Sequence, residues 1–126
     1  MADGDKKIIM IVEDDPALVA AYEVKFAQEG YELLIATDGK QALDMLPGKV
    51  AHVVLLDLML PEVSGFDVLS AMKKDSRWQN VPVIILTNLS DDKDVAHGKE
   101  LGASDYLVKA NMNIADILSR VKQELK

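Results

Sequence analysis

The sequence predicts a three-layer α/β sandwich, a parallel sheet with helices packed on both faces. Two observations lead there. Five short runs rich in Val, Ile and Leu alternate strictly with five segments of helical character, and such alternation builds a parallel sheet through short, right-handed crossovers. The runs are also continuous rather than alternating in polarity, as at Val53-Val54-Leu55-Leu56, which is how strands buried on both faces read.

The first strand is read over Lys6 to Val12 and runs straight into Glu13-Asp14-Asp15-Pro16. Asp15 followed by Pro16 supplies a helix cap and then a proline for the first turn. Val19, Tyr22 and Phe26 recur at helical spacing until Gly30 stops the helix. Tyr31 to Ala36 is the second strand, and Asp38 opens a helix that turns Ala42, Leu43 and Leu46 inward before Pro47-Gly48 closes it. His52 to Leu56 is the third strand, ending at Asp57; the loop Leu58 to Ser64, with Pro61, leads to a helix with Phe66, Leu69 and Met72 on one face. The fourth strand spans Val81 to Leu86, with Pro82 tolerated at its start. Ser90, with Asp91, Asp92 and Asp94 behind it, predicts a capped helix N-terminus. Gly98 inside that helix should weaken it by about 1 kcal/mol relative to alanine, which fits either a movable surface or mere tolerance, and Gly102 ends it. Ser104 to Val108 is a fifth strand running into Lys109. Asn113 then caps a last helix with Ile114, Ile117, Leu118, Val121 and Leu125 on one stripe.

The bulk properties narrow the function classes. A chain of 126 residues is read as one domain spanning 1–126, able to bury a core without staples. A net charge of −7, from 14 basic and 21 acidic residues, argues against a nucleic-acid grip by the domain itself. The absence of cysteine removes disulfides, thiolate metal sites and thiol nucleophiles. The short polar N-terminus with only five apolar residues behind it, Ile8 to Val12, is no secretory signal, and no apolar run reaches membrane-spanning length. The expectation is a cytoplasmic domain with no membrane contact.

In a parallel sheet every strand's C-terminal end lies on one edge, the edge where open α/β sheets bind ligands. The first strand ends at Glu13-Asp14, the third at Asp57, the fourth at Thr87 and the fifth at Lys109. Singly, each has a plain reading: Asp57 as a turn residue, Glu13 and Asp14 as solvated acids, Thr87 as a cap, Lys109 as a surface lysine. Together they do not, because carboxylates crowded at one site repel and need a compensating cation. A hard divalent ion with oxygen ligands meets that need, which implies Mg²⁺, or Mn²⁺, rather than a metal held by His52 or His97. With the acids neutralised, Asp57 becomes a candidate nucleophile of the aspartyl-phosphate type. Lys109 and the Thr87 hydroxyl would meet the phosphoryl oxygens, since such transfers rely on positioning and electrostatics.

The runs Ile-Val-Glu13-Asp14-Asp15-Pro16, Leu-Leu-Asp57-Leu-Met59-Leu-Pro-Glu-Val-Ser-Gly-Phe, Leu-Thr87-Asn88 and Gly-Ala-Ser-Asp-Tyr106-Leu-Val-Lys109 resemble, in order and over the whole chain, the receiver domain of two-component response regulators, chemotaxis-regulator-like. The resemblance implies a flavodoxin-like strand order 2-1-3-4-5. It implies that Asp57 accepts a phosphoryl group from a histidine kinase or phosphotransfer protein. Asp14 would ligate Mg²⁺ directly, Glu13 through water, and the Met59 backbone carbonyl would complete the protein's share. Thr87 and Tyr106 would be the switch residues, Lys109 the phosphate-binding lysine. The face of the fourth helix, fifth strand and fifth helix would then bind an unknown downstream protein, the domain being a monomer or a phosphorylation-dependent dimer. It would assist its own phosphorylation and slow dephosphorylation without being a conventional enzyme. It would act alone or as part of a longer regulator.

Two residues depart from that pattern. Ala110 stands where proline usually follows the lysine, often across a cis bond, so either a cis bond costing about 3 kcal/mol is retained or the peptide is trans and the loop Lys109 to Asn113 is rearranged. Asn88 stands where a small residue is usual, and with Met59 it is expected to modulate the pocket by slowing dephosphorylation. The rival reading is a receiver-like interaction module that does not use phosphorylation. A phosphatase of the haloacid-dehalogenase type would need a second aspartate where Met59 stands, and a flavin site would not tolerate the acids of the first loop.

Overall fold

The computed structural model describes residues 6–126; the stretch 1–5, part of the polar N-terminus read above, lies outside them. The elements run β1 (Ile8–Val12), α1 (Pro16–Gln28), β2 (Glu32–Ala36), α2 (Gly39–Met45), β3 (Val53–Leu56), α3 (Gly65–Lys74), β4 (Val83–Thr87), α4 (Asp92–Glu100), β5 (Asp105–Val108), a 3-10 turn at Lys109–Asn111, and α5 (Ile114–Glu124). The five strands form one sheet in the order β2-β1-β3-β4-β5, every pairing parallel. Both the alternating fold and the strand order 2-1-3-4-5 are as expected.

Most helix ends follow the sequence signals. The Asp15 carboxylate accepts from the Ala17 N–H at 2.9 Å with Pro16 behind it, Asp38 accepts from Gln41 N–H, and Ser64 from Phe66 N–H. Asn113 and Asp116 form a reciprocal capping box at α5. One start differs. The cap of α4 is Asp91 rather than Ser90, and its side chain makes no cap hydrogen bond, so Asp92 and Asp94 support this end through the helix dipole alone. In α1 it is Leu18, with Tyr22 and Phe26, that packs against the core, one position before the expected Val19.

Strand side chains alternate between faces, and the core divides accordingly. Met10, Val12, Val54, Leu56, Val83 and Ile85 point to one face and pack with α2, α3 and the buried Trp78. Ile9, Ile11, Val53, Leu55, Ile84 and Leu86 point to the other and pack under α1 and α5. The Trp78 indole N–H donates to the Leu46 carbonyl at 2.8 Å, and the Arg77 guanidinium donates to the carbonyls of Pro47 (2.8 Å) and Gly48. Together they satisfy the carbonyls of the turn Leu46-Pro47-Gly48 that follows α2.

Gly98 has a packing role rather than being tolerated. It is buried, and a Cβ built on it would stand 2.6 Å from Ile85 Cδ1 and 3.2 Å from the Tyr106 ring. Its missing side chain is what lets α4 lie against Tyr106.

Candidate functional site

Register and alternation decide which strand-end residues can meet. Val12 pairs with Leu56, so Glu13 and Asp57 leave the sheet side by side. Both continue the odd-numbered face of Ile11 and Leu55, and Lys109 continues the same face after Leu107. Thr87 and Tyr106 follow the opposite face, that of Ile85. The strand ends therefore present an ionic set toward the α1/α5 side and a hydroxyl-aromatic pair toward the α3/α4 side.

The ionic set is assembled. Carboxylate oxygens of Glu13, Asp14 and Asp57 lie within 4.8 Å of one another. The Lys109 ammonium bridges two of them, 2.7 Å from Glu13 Oε1 and 2.7 Å from Asp57 Oδ2. The other Asp57 oxygen accepts from the Met59 N–H at 3.0 Å, and the other Glu13 oxygen from the Asp15 N–H at 3.1 Å. Glu13 and Asp57 are 3% and 5% exposed, whereas Asp14 is open to solvent. Burial pushes the Glu13 carboxyl up from its ordinary value, against the pull of its hydrogen bond with Lys109. At Lys109 burial alone would favour the neutral amine, but the hydrogen bonds to Asp57 and Glu13 outweigh it and hold the ammonium more firmly than usual. Tyr22, buried below on α1, has its phenol pushed up to about 12 by desolvation and then by the negative charge of Glu13.

The pair Thr87 and Tyr106 sits one face away. Thr87 is fully buried and its Oγ accepts from the Leu89 N–H at 3.4 Å, while the Tyr106 hydroxyl donates to the Leu89 carbonyl at 2.7 Å. Burial raises the Tyr106 phenol, helped by Asp94, Asp57 and Asp91. Met59 is 54% exposed, and Asn88 lies on the surface with its Oδ1 accepting from the Ala110 N–H at 3.0 Å. Among the described residues no peptide bond is cis, so Lys109-Ala110 is trans and the loop folds as the 3-10 turn. The histidines lie elsewhere: His52 Nδ1 accepts from the Ile8 N–H, and His97 packs against Phe66 with ring centroids 4.5 Å apart and planes tilted by 53°.

Two residues with a bearing on the site were not assigned roles from sequence. A Cβ on Gly65 would stand 2.2 Å from the Asp57 carbonyl oxygen, so glycine is what allows the N-terminus of α3 to press against the end of β3. Its signal was its place directly after the Ser64 cap. Tyr22 was assigned to the core stripe of α1; nothing local marks it as the floor of a charged site.

The donor chemistry fits a hard divalent cation. Three carboxylates offer oxygen atoms within a few ångströms while one lysine supplies the only opposite charge described among them, and the chain has no cysteine to offer a thiolate. That set suits Mg²⁺ or Mn²⁺ rather than zinc.

A family model, the response regulator receiver domain, matches residues 9–122. The chain is 36% identical over 124 residues to the DNA-binding response regulator MtrA of Mycolicibacterium smegmatis, covering 98% of this chain and 53% of that protein. It thus spans about half the length of the curated relatives it matches. A CheY-like receiver domain from Methanospirillum hungatei superposes with a TM-score of 0.89 at 26% identity, covering 96% of this chain and 94% of the other. A BeF3-activated receiver domain of DrrB superposes at 0.84 with 34% identity, covering 95% and 97%.

Proposed function

The chain belongs to the response regulator receiver domain family, a family of signalling domains rather than conventional enzymes, and on that premise we propose that it is a phosphoacceptor whose accepting group is Asp57. The observation that carries this reading is the state of that carboxylate: buried, backed by the Lys109 ammonium at 2.7 Å, and within 4.8 Å of two further acids. A receiver fits the fold and the relatives equally well without phosphorylation; what supports an acceptor is that three acids gather at one edge while two of them share a single lysine.

In the proposed transfer an Asp57 oxygen attacks phosphorus, a P–O bond forms, and the P–N bond to the donor's histidine breaks, its imidazole leaving to take a proton from solvent. Glu13, Asp14, Asp57 and the Met59 carbonyl would hold Mg²⁺, which when bound offsets charge on the acids and the incoming phosphoryl group. Lys109, released from part of its pairing with Asp57, meets a phosphoryl oxygen as a point charge. The Met59 N–H stays on the carboxylate and keeps it oriented. Thr87 turns its hydroxyl from Leu89 toward the phosphoryl group, and Tyr106, resting on Gly98, carries the change to the surface of α4, β5 and α5, where a downstream protein binds. Met59 stands two residues after Asp57 and Asn88 directly after Thr87, from where they would limit the access of water to an acyl phosphate.

The donor is proposed to be a histidine kinase or phosphotransfer protein in the cytoplasm. Among the described residues no helix is long and apolar enough to cross a membrane. MtrA is a DNA-binding regulator by name; a DNA-binding output for this chain would require segments beyond a receiver. Incubation with Mg²⁺ and acetyl phosphate should label the wild type on one residue and leave Asp57→Ala unlabelled. Labelling that survives Asp57→Ala, or none in the wild type, refutes the reading, and the second result favours a phosphorylation-independent interaction module.

A further inference from the structure

Thr87 and Lys109 belong to opposite faces of the sheet, yet the proposed transfer asks both to reach one phosphoryl group. The residues that follow them, Asn88 and Ala110, are the two places where the chain departs from the pattern it otherwise resembles. The structure joins them: Ala110 N–H donates to Asn88 Oδ1 at 3.0 Å. The donor is available only because residue 110 is not proline, which has no N–H. The bond falls on the peptide from which Lys109 leaves the backbone, at the start of a turn otherwise held by Met112 N–H on the Lys109 carbonyl at 3.1 Å. On its other side, the segment Thr87-Asn88-Leu89 is held by Leu89 N–H on Thr87 Oγ and by the Tyr106 hydroxyl on the Leu89 carbonyl.

We propose that Asn88 is a positioning residue acting through Lys109: by accepting from Ala110 it ties the loop that carries Thr87 to the backbone that aims the ammonium, so both groups meet the phosphoryl group as one unit. This rests on the phosphoacceptor reading of Asp57. Both loops are exposed at residues 88 and 110, and two loops ordered by one shared bond lose less freedom at the moment of transfer than two ordered separately. A movement of Thr87 is likewise passed to the peptide behind Lys109.

The test follows Mg²⁺-dependent labelling of the full chain by acetyl phosphate in the wild type, Asn88→Ala, Lys109→Ala and the double variant, with Ala110 amide exchange measured by NMR. Asn88→Ala should speed Ala110 exchange and slow initial labelling by about twofold to tenfold, the range for one hydrogen bond, with the affinity for Mg²⁺ unchanged. Asn88→Asp, which keeps an acceptor oxygen, should leave the Ala110 amide protected. In the Lys109→Ala background Asn88→Ala should cause no further slowing; Lys109→Gln replaces that variant if it fails to fold. Unchanged Ala110 exchange, unchanged or faster labelling, a shifted Mg²⁺ affinity, or equal slowing in both backgrounds overturns the proposal while leaving Asp57 as acceptor. An unlabelled wild type overturns both.

Discussion

Replacing Gly98 by alanine sets two effects of opposite sign against each other. On an open helix surface the change would stabilise α4 by about 1 kcal/mol, because glycine has more backbone freedom to lose. Here the new methyl meets Ile85 Cδ1 at 2.6 Å and the Tyr106 ring at 3.2 and 3.3 Å. The Ile85 contact is with the end of a flexible side chain, but that side chain is fully buried in the core, and overpacking such a site costs roughly 1–3 kcal/mol. The overlap should win, leaving the protein less stable by up to about 2 kcal/mol. The ring of Tyr106 is the softer neighbour, so it should move, loosening its 2.7 Å hydrogen bond to the Leu89 carbonyl. Urea unfolding measures the first consequence, and the ring resonances of Tyr106 in NMR spectra measure the second. A Gly98→Ala protein that gains about 1 kcal/mol with Tyr106 unmoved would show that this glycine is tolerated rather than required.

The acid cluster makes two further predictions. Lys109→Ala leaves Glu13 and Asp57 buried without their shared cation and should cost about 3 kcal/mol in divalent-free urea unfolding; saturating Mg²⁺ should recover much of it, and an equal loss with and without Mg²⁺ would mean that no ion compensates these acids. The pH dependence follows from Glu13, whose folded carboxyl titrates above its ordinary 4.5. A carboxyl raised on folding lends stability that is complete below its unfolded value and is lost as pH rises through the folded one. Glu13→Gln should therefore gain on the wild type as pH climbs from about 4.5 without divalent ions, and a gap between their unfolding midpoints that stays constant with pH would contradict the assignment.

Much of this architecture is legible one segment at a time. Asp15-Pro16, Asp38, Ser64 and Asn113 mark helix starts because capping is a contact within three residues, and continuous Val, Ile and Leu runs mark buried strands because each run must hide both faces. The start of α4 is where that reasoning slips: Ser90 and Asp91 are both good caps, and local chemistry alone does not choose between them. Val19 against Leu18 is the same kind of error, a face shifted by one residue because a helix's orientation is set by the sheet it packs on.

Along the chain alone, the parallel sheet, the edge on which Glu13, Asp14, Asp57, Thr87 and Lys109 gather, and a resemblance to receiver domains were determined, since strand direction and strand ends follow from element order. The tertiary structure decided the rest. Register and side-chain alternation sent Glu13, Asp57 and Lys109 to one face and Thr87 and Tyr106 to the other. Packing turned Gly98 from a weak point of α4 into the seat of Tyr106, and a bond between residues 88 and 110 joined two departures that stand 22 positions apart. These are contacts between segments distant in sequence, and their geometry exists only once the sheet has brought the loops together.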